Sequence, residues 1–133
     1  MRFTVDRLDH LVLTCRDAEI SASWYQRVLG MEREEFGSRR RTALRFGGQK
    51  INIRQADAGS EWATAPGAAP GSMDLCFTTA IAPDDIVTHL RSCGVEIVDG
   101  PAAKVGALGP LVSVYCRDPD GNKIEIASYL ETS

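Results

Sequence analysis

The sequence predicts an α+β fold built from two βαβββ modules, and three observations carry that expectation. Strand-like and helix-like segments occur in the same order twice, a stretch rich in Ala, Gly and Pro separates the two runs, and short motifs match at both ends of each run. The length of 133 residues suits one domain. It divides into module 1 at about 6–55, a linker at 56–72 and module 2 at about 73–130. Two such modules, each a curled mixed sheet backed by one helix, are expected to close on each other as a half-barrel with a cavity.

In the first module, Leu8–Cys15 is rich in branched residues and reads as a strand. A helix follows, with Asp17 as N-cap, Ile20, Trp24 and Val28 as an apolar stripe, and Gly30 as the stop. Glu32–Phe36, Arg41–Phe46 and Lys50–Gln55 read as strands, with Gly37-Ser38 and Gly47-Gly48 as turns. Residues 56–72 read as a connecting loop with Trp62 as the one large side chain. The pattern then restarts with a strand at Met73–Thr78 and a helix from Pro83 to a stop at Gly94. Val95–Val98, Leu111–Arg117 and Lys123–Ser128 read as the remaining strands, the last two joined by the turn Asp118-Pro119-Asp120-Gly121-Asn122.

Composition narrows the class of partner. The chain is 44% hydrophobic and 25% charged with a net charge of -3, so it offers no field for gripping nucleic acid or a membrane surface, and a small molecule is expected instead. No run of apolar residues is long enough for a membrane span, and the charged N-terminus is unlike a signal peptide, which points to the cytoplasm. The four cysteines, Cys15, Cys76, Cys93 and Cys116, lack CxxC spacing and read as reduced thiols, mostly buried.

Strand side chains alternate between faces. If Leu11, Leu13 and Cys15 face the first helix, His10, Val12 and Thr14 face the cavity; Ile51 and Ile53 leave Lys50, Asn52 and Arg54 there. By the same parity Leu75 and Phe77 leave Asp74 and Cys76, and Ile124 and Ile126 leave Glu125. Matched positions of the repeat thus hold His10, Asn52, Asp74 and Glu125. A core does not tolerate unpartnered polar groups, and a divalent cation would compensate this oxygen-rich set. Ni, Zn, Mn, Mg and Fe(II) all suit it. Arg45, Arg54, Cys76, Ser113 and Tyr115 also fall on the cavity face as candidate substrate-binding residues. Arg39-Arg40-Arg41 reads as a solvated hairpin, and His89 has no evident partner.

Leu8-Asp9-His10-Leu11-Val12-Leu13-Thr14, Trp24-Tyr25, Val28-Leu29-Gly30-Met31, Gly71-Ser72-Met73-Asp74-Leu75-Cys76 and Arg117-Asp118-Pro119-Asp120-Gly121-Asn122-Lys123-Ile124-Glu125 together resemble the vicinal oxygen chelate superfamily. That superfamily includes glyoxalase I, bleomycin-resistance proteins, extradiol dioxygenases and fosfomycin-resistance proteins; within it the chain looks most like the glyoxalase-domain-containing protein 5 group. The resemblance matches His10 and Glu125 to the first-strand and last-strand metal ligands. Asn52 stands where a carboxylate is common and Asp74 where active members usually carry His. It implies a metal-dependent lyase or isomerase of the lactoylglutathione lyase type, with Glu125 as the catalytic base and a substrate bearing adjacent oxygens. Metal-free sequestration of an antibiotic is the alternative, an extradiol-type dioxygenase the third reading, and a homodimer the expected assembly.

Overall fold

A computed structural model of the chain describes residues 1–129, so Leu130, the expected end of the second module, lies outside the described residues. The described residues fall into two compact units, Met1–Ala69 and a second beginning at Pro70.

The first unit comprises β1 (His10–Cys15), α1 (Ala18–Leu29), β2 (Glu32–Phe36), β3 (Arg41–Phe46) and β4 (Gln49–Gln55). Its four strands form an open mixed sheet of order β1-β4-β3-β2, in which β1 and β4 run parallel and the other pairs antiparallel. The Asp17 side chain caps α1 by accepting from the N–H groups of Glu19 and Ile20, and Gly30 ends it at φ 67. Both caps are as expected. The buried stripe of the helix is Ser21, Trp24, Tyr25 and Val28, whereas Ile20 is 58% exposed, one step off the expected stripe. α1 lies against β3 and β4, where Leu44 and Ile51 are wholly buried, as is Leu13 of β1. Leu8 and Asp9 were expected in the first strand. They precede it: the ladder to β4 begins at His10 opposite Lys50, and Leu8 is exposed.

The expected loop after β4 begins as two short 3-10 turns over Ala56–Trp62, kinked at Gly59. Arginines hold it. Arg39 Nη1 and Arg41 Nη2 donate to the Glu61 carbonyl at 2.8 and 2.9 Å, Arg54 Nε donates to the Trp62 carbonyl at 2.7 Å, and the Arg41 guanidinium lies 4.1 Å over the Trp62 ring. The Arg39-Arg40-Arg41 run lies at the exposed β2–β3 hairpin, as expected, and Arg39 and Arg41 also clamp this segment.

The second unit comprises β5 (Asp74–Thr78), α2 (Pro83–Ser92), β6 (Asp99–Gly106), β7 (Gly109–Arg117) and β8 (Lys123–Tyr129), again an open mixed sheet, of order β5-β8-β7-β6 with β5 and β8 parallel. Pro83 opens α2, Asp84 and Asp85 occupy its first turn, and Gly94 follows it at φ 72. Ile86 and Leu90 are buried on its inner side, and Val114, Cys116 and Ile124 are wholly buried in the sheet. The expected strand Val95–Val98 is absent. That segment links α2 to the sheet, with the Val95 N–H on the Leu90 carbonyl and the Val98 N–H on that of Tyr115, and pairing starts only at Asp99. The true strand was hidden by Gly100-Pro101, which reads as a breaker; β6 is the edge strand, where proline is tolerated, and its register shifts between Asp99 and Ala102.

The turn Asp118–Asn122 forms as expected and is a hydrogen-bonded core element. Asp118 Oδ1 accepts from the N–H groups of Asp120 and Asn122, Asp118 Oδ2 accepts from Asn122 Nδ2, and Asn122 Oδ1 accepts from the Met73 N–H at 2.8 Å. Asn122 is wholly buried, so one side chain ties the entrance of β5 to that of β8. All four cysteines are free thiols, but only Cys15 and Cys116 are buried; Cys93 is intermediate and Cys76 exposed. Among the described residues no helix is long and apolar enough to cross a membrane.

Asn122→Ala leaves the Met73 N–H without its acceptor and removes the Nδ2 bond to Asp118 Oδ2, and we expect a loss of about 1–3 kcal/mol in urea unfolding. Leu108→Ala, at a residue 86% exposed, should change stability by less than about 0.5 kcal/mol. Equal effects of the two substitutions would show that the turn is not a structural tie.

Candidate functional site

The repeat extends to strand register. His10 lies opposite Lys50 and Val12 opposite Asn52 in the first unit; Asp74 lies opposite Lys123 and Cys76 opposite Glu125 in the second. His10 and Asn52 are consequently diagonal neighbours on the sheet face away from α1, and Asp74 and Glu125 hold the equivalent places in their own sheet. The four matched positions thus form two half-sets, one per unit.

In the first unit, Val12, Asn52, Ala43 and Glu34 form one row across the sheet. Asn52 is 5% exposed, and its Oδ1 is buried with no hydrogen-bond partner among the described residues. Such an acceptor is costly to leave empty. In the next row, the His10 ring is partly exposed and its Nδ1 lies 2.8 Å from Asp9 Oδ2. A carboxylate only accepts, so Nδ1 is the donor in this bond, and in the neutral ring Nε2 is then the nitrogen with the lone pair. This carboxylate–imidazole pairing is the arrangement that orients metal-binding histidines. The bond to His10 also holds the Asp9 carboxyl below its ordinary range. Asp9 escaped sequence reasoning, although the Asp9-His10 dipeptide was a visible signal.

The cations on this face differ in how they are satisfied. Arg45 Nε donates to Glu34 Oε2 at 2.6 Å, which draws the Glu34 carboxyl down, and Lys50 Nζ sits 3.6 Å from the centre of the Phe36 ring. Arg54 is 8% exposed and bonds only neutral groups, the Trp62 carbonyl and, at 3.4 Å, Thr14 Oγ1.

In the second unit, Glu125 is ringed by protic groups. Ser113, wholly buried, donates its hydroxyl to Glu125 Oε2, and Tyr115 and Cys76 also hydrogen-bond the carboxylate. Lys123 and Lys104 place their ammonium groups 4.9 and 5.9 Å from the Tyr115 ring centre, a cationic rim that the sequence did not suggest. Partial burial, then the Glu125 and Asp74 carboxylates, push the Cys76 thiol up to about 11, and burial together with Glu125 pushes the Tyr115 phenol up. Cys76 is thus a neutral thiol at physiological pH, not a nucleophile. Asp74 is exposed at the start of β5. His89 has a neighbour after all, with Nε2 3.6 Å from Cys93 Sγ.

Each half-set by itself offers donors that suit a hard divalent ion, an imidazole nitrogen and an amide oxygen in the first unit and carboxylate oxygens in the second. Among the described residues no three or more His, Cys, Asp or Glu side chains are grouped so as to hold one.

The family model described as Glyoxalase/Bleomycin resistance protein/Dioxygenase superfamily matches residues 7–126. Virulence protein STM3117 of Salmonella typhimurium is 43% identical over 130 residues, covering 98% of this chain and 89% of that protein. The glyoxalase domain-containing protein RDO1 of Mycosarcoma maydis is 45% identical over 131 residues, covering 96% of this chain and 71% of that protein. The solved integron cassette protein VPC_CASS1 of V. Pseudocholerae superposes with a TM-score of 0.93 at 43% identity, covering 98% of this chain and all of that one. At 17–19% identity the fold alone is shared with a lactoylglutathione lyase from Agrobacterium tumefaciens, TM-score 0.70, covering 94% of this chain and 95% of that one. It is shared likewise with the antibiotic-binding protein TnmS3 from Streptomyces, at 0.74, covering 97% and 100%. A third such protein is the fosfomycin resistance protein FosX from Listeria monocytogenes, solved with Mn(II), at 0.64, covering 92% and 90%.

Site-resolved alkylation with iodoacetamide checks the state of Cys76. With its pKa near 11 against an ordinary 9.0, the thiolate fraction at pH 8 is about a hundredfold smaller, so labelling should climb only above about pH 10. Glu125→Gln removes the nearest negative charge and should shift the profile to lower pH; an unchanged profile would separate the two side chains.

Proposed function

The chain belongs to the Glyoxalase/Bleomycin resistance protein/Dioxygenase superfamily, and from that premise we propose that it is a metal-dependent lyase or isomerase acting on a small molecule with two adjacent oxygens. The orphaned Oδ1 of Asn52 is the observation that carries this reading, because a buried acceptor left without a partner by the protein calls for one from outside it. His10 Nε2, presented by Asp9, supports it in the same unit. His10, Asn52, Asp74 and Glu125 are the proposed donors to one divalent ion, which when bound supplies Lewis acidity to the substrate oxygens.

Glu125 serves as the proton-transfer group. The Ser113 hydroxyl on its Oε2 fixes the carboxylate's orientation, and the Tyr115 phenol and Cys76 thiol remain protonated beside it, so neither competes as base. Arg45, Arg54, Cys76, Ser113 and Tyr115 contribute to substrate binding. Within the superfamily, the glyoxalase-domain-containing protein 5 group is the proposed nearest kin. A cytoplasmic homodimer of single-domain chains is the proposed form of the protein, with no nucleic acid or membrane as partner.

A second reading, metal-free sequestration of an antibiotic, draws on the lack of a grouping of three or more His, Cys, Asp or Glu side chains among the described residues. The third, an extradiol-type dioxygenase, has the weaker support of His10, Asp74 and Glu125 as its facial set.

Metal analysis separates these readings. Protein purified without chelator should hold about one divalent ion per chain, and His10→Ala or Glu125→Ala should abolish it. An empty protein, with no thermal shift on adding Mn, Ni, Zn or Fe(II), contradicts the enzyme reading. A change in Trp62 fluorescence with a planar aromatic antibiotic then supports sequestration.

A further inference from the structure

Arg54 is a buried cation that the protein leaves uncompensated. Its side chain is over nine-tenths buried, its Nε is held by the Trp62 carbonyl, and its Nη1 reaches only the Thr14 hydroxyl at the long distance of 3.4 Å. A guanidinium carries five N–H donors, so most of its capacity is unused. No carboxylate pairs with it among the described residues: the nearby Glu61 carboxylate lies 3.9 Å from Arg39 instead, and Glu34 is taken by Arg45. Burying a charge without an opposite partner is expensive unless one arrives from outside.

The position of Arg54 is equally informative. It stands two residues beyond Asn52 on β4, opposite Thr14 of β1, so both residues look out of the same face of the sheet. Two residues of strand span about 6.6 Å. The Trp62 carbonyl, itself held in the segment that Arg39 and Arg41 clamp, fixes the orientation of the guanidinium.

We propose that Arg54 is an anion subsite, and that the ligand of this face is a small anionic molecule carrying a carboxylate, or a similar planar oxyanion, a few ångströms from its pair of adjacent oxygens. The proposal deepens the small-molecule reading above and rests on it, but not on the metal. Arg54 is thereby a specificity residue: it distinguishes acids from their neutral counterparts and takes no part in bond breaking. A planar guanidinium pairs with a carboxylate through two parallel bonds, which an ammonium cannot copy.

The test uses 3,4-dihydroxybenzoate and 3,4-dihydroxybenzamide, which share the adjacent oxygens and differ in one charge. Calorimetric titration of the full chain should show the acid bound at least about tenfold more tightly than the amide. Arg54→Met should erase that difference, and Arg54→Lys should retain only part of it. Equal binding of acid and amide to the unmodified protein overturns the proposal, and so does a preference that survives in Arg54→Met. Should Arg54→Met fail to fold, the acid-to-amide ratio of the unmodified protein and its reduction in Arg54→Lys still decide. Metal content measured on the same samples keeps the two readings apart: a charge preference in metal-free protein supports the anion subsite and contradicts the metal, and a loaded protein without preference does the reverse.

Discussion

The parallel pairing of first and last strand within each unit is the constraint on which the rest depends. β1 beside β4, and β5 beside β8, fix which residues share a face, because a slip of one residue in either ladder would turn every side chain over. The apolar parity is pinned by the burial of Leu13, Ile51 and Ile53 in the first unit and of Ile124 and Ile126 in the second, and the polar parity follows from it. His10, Asn52 and Arg54 stand on one face because Leu11, Leu13 and Ile51 need the other. The same holds for Asp74, Cys76 and Glu125. The Asp118–Asn122 turn guards the second ladder, since Asn122 ties Met73 to the residues that lead into β8.

Having turned a polar face away from its helix, each unit satisfies part of it internally. Glu125 is furnished with protic neighbours, Arg45 with Glu34, and Lys50 with the Phe36 ring. What remains is a short set on the first unit: a buried amide oxygen without a donor, an imidazole nitrogen opposite the one held by Asp9, and a buried guanidinium bonded only to neutral oxygens. An acceptor, a ligand nitrogen and a cation left open together describe the complement of a small anionic, oxygen-bearing ligand more specifically than the net charge of -3 does.

Most of the fold was legible because burial writes itself into alternation and capping. The paired motifs Asp9–Leu13 and Met73–Phe77, and Lys50–Ile53 and Lys123–Ile126, occupy equivalent registers, and Asp17 and Gly30 delimit α1 as their chemistry requires. The failures have physical causes. β6 is an edge strand of small residues entered through Gly100-Pro101, so it lacks both the bulk and the donors that mark a strand in sequence. The 3-10 turns at Ala56–Trp62 are held by arginines 20 and 22 residues before Glu61, which local propensity does not register. At the site, sequence parity grouped His10, Asn52 and Arg54 in the first unit and Asp74 and Glu125 in the second, and the strand registers give the same grouping within each sheet. It did not reveal that Arg45 is spoken for while Arg54 is not, because pairing depends on distances between strands.

The central claim is that the face of the first unit presents His10 as a ligand nitrogen. With only two histidines in the chain, His10 and His89, nitrogen NMR of histidine-labelled protein titrated with Zn(II) reads that claim directly. The account predicts that the His10 Nε2 resonance moves to the position of a metal-bound imidazole at about one equivalent, with its Nδ1 proton retained on the Asp9 side. A His10 ring that keeps its free-imidazole shifts, or a response confined to His89, would contradict it.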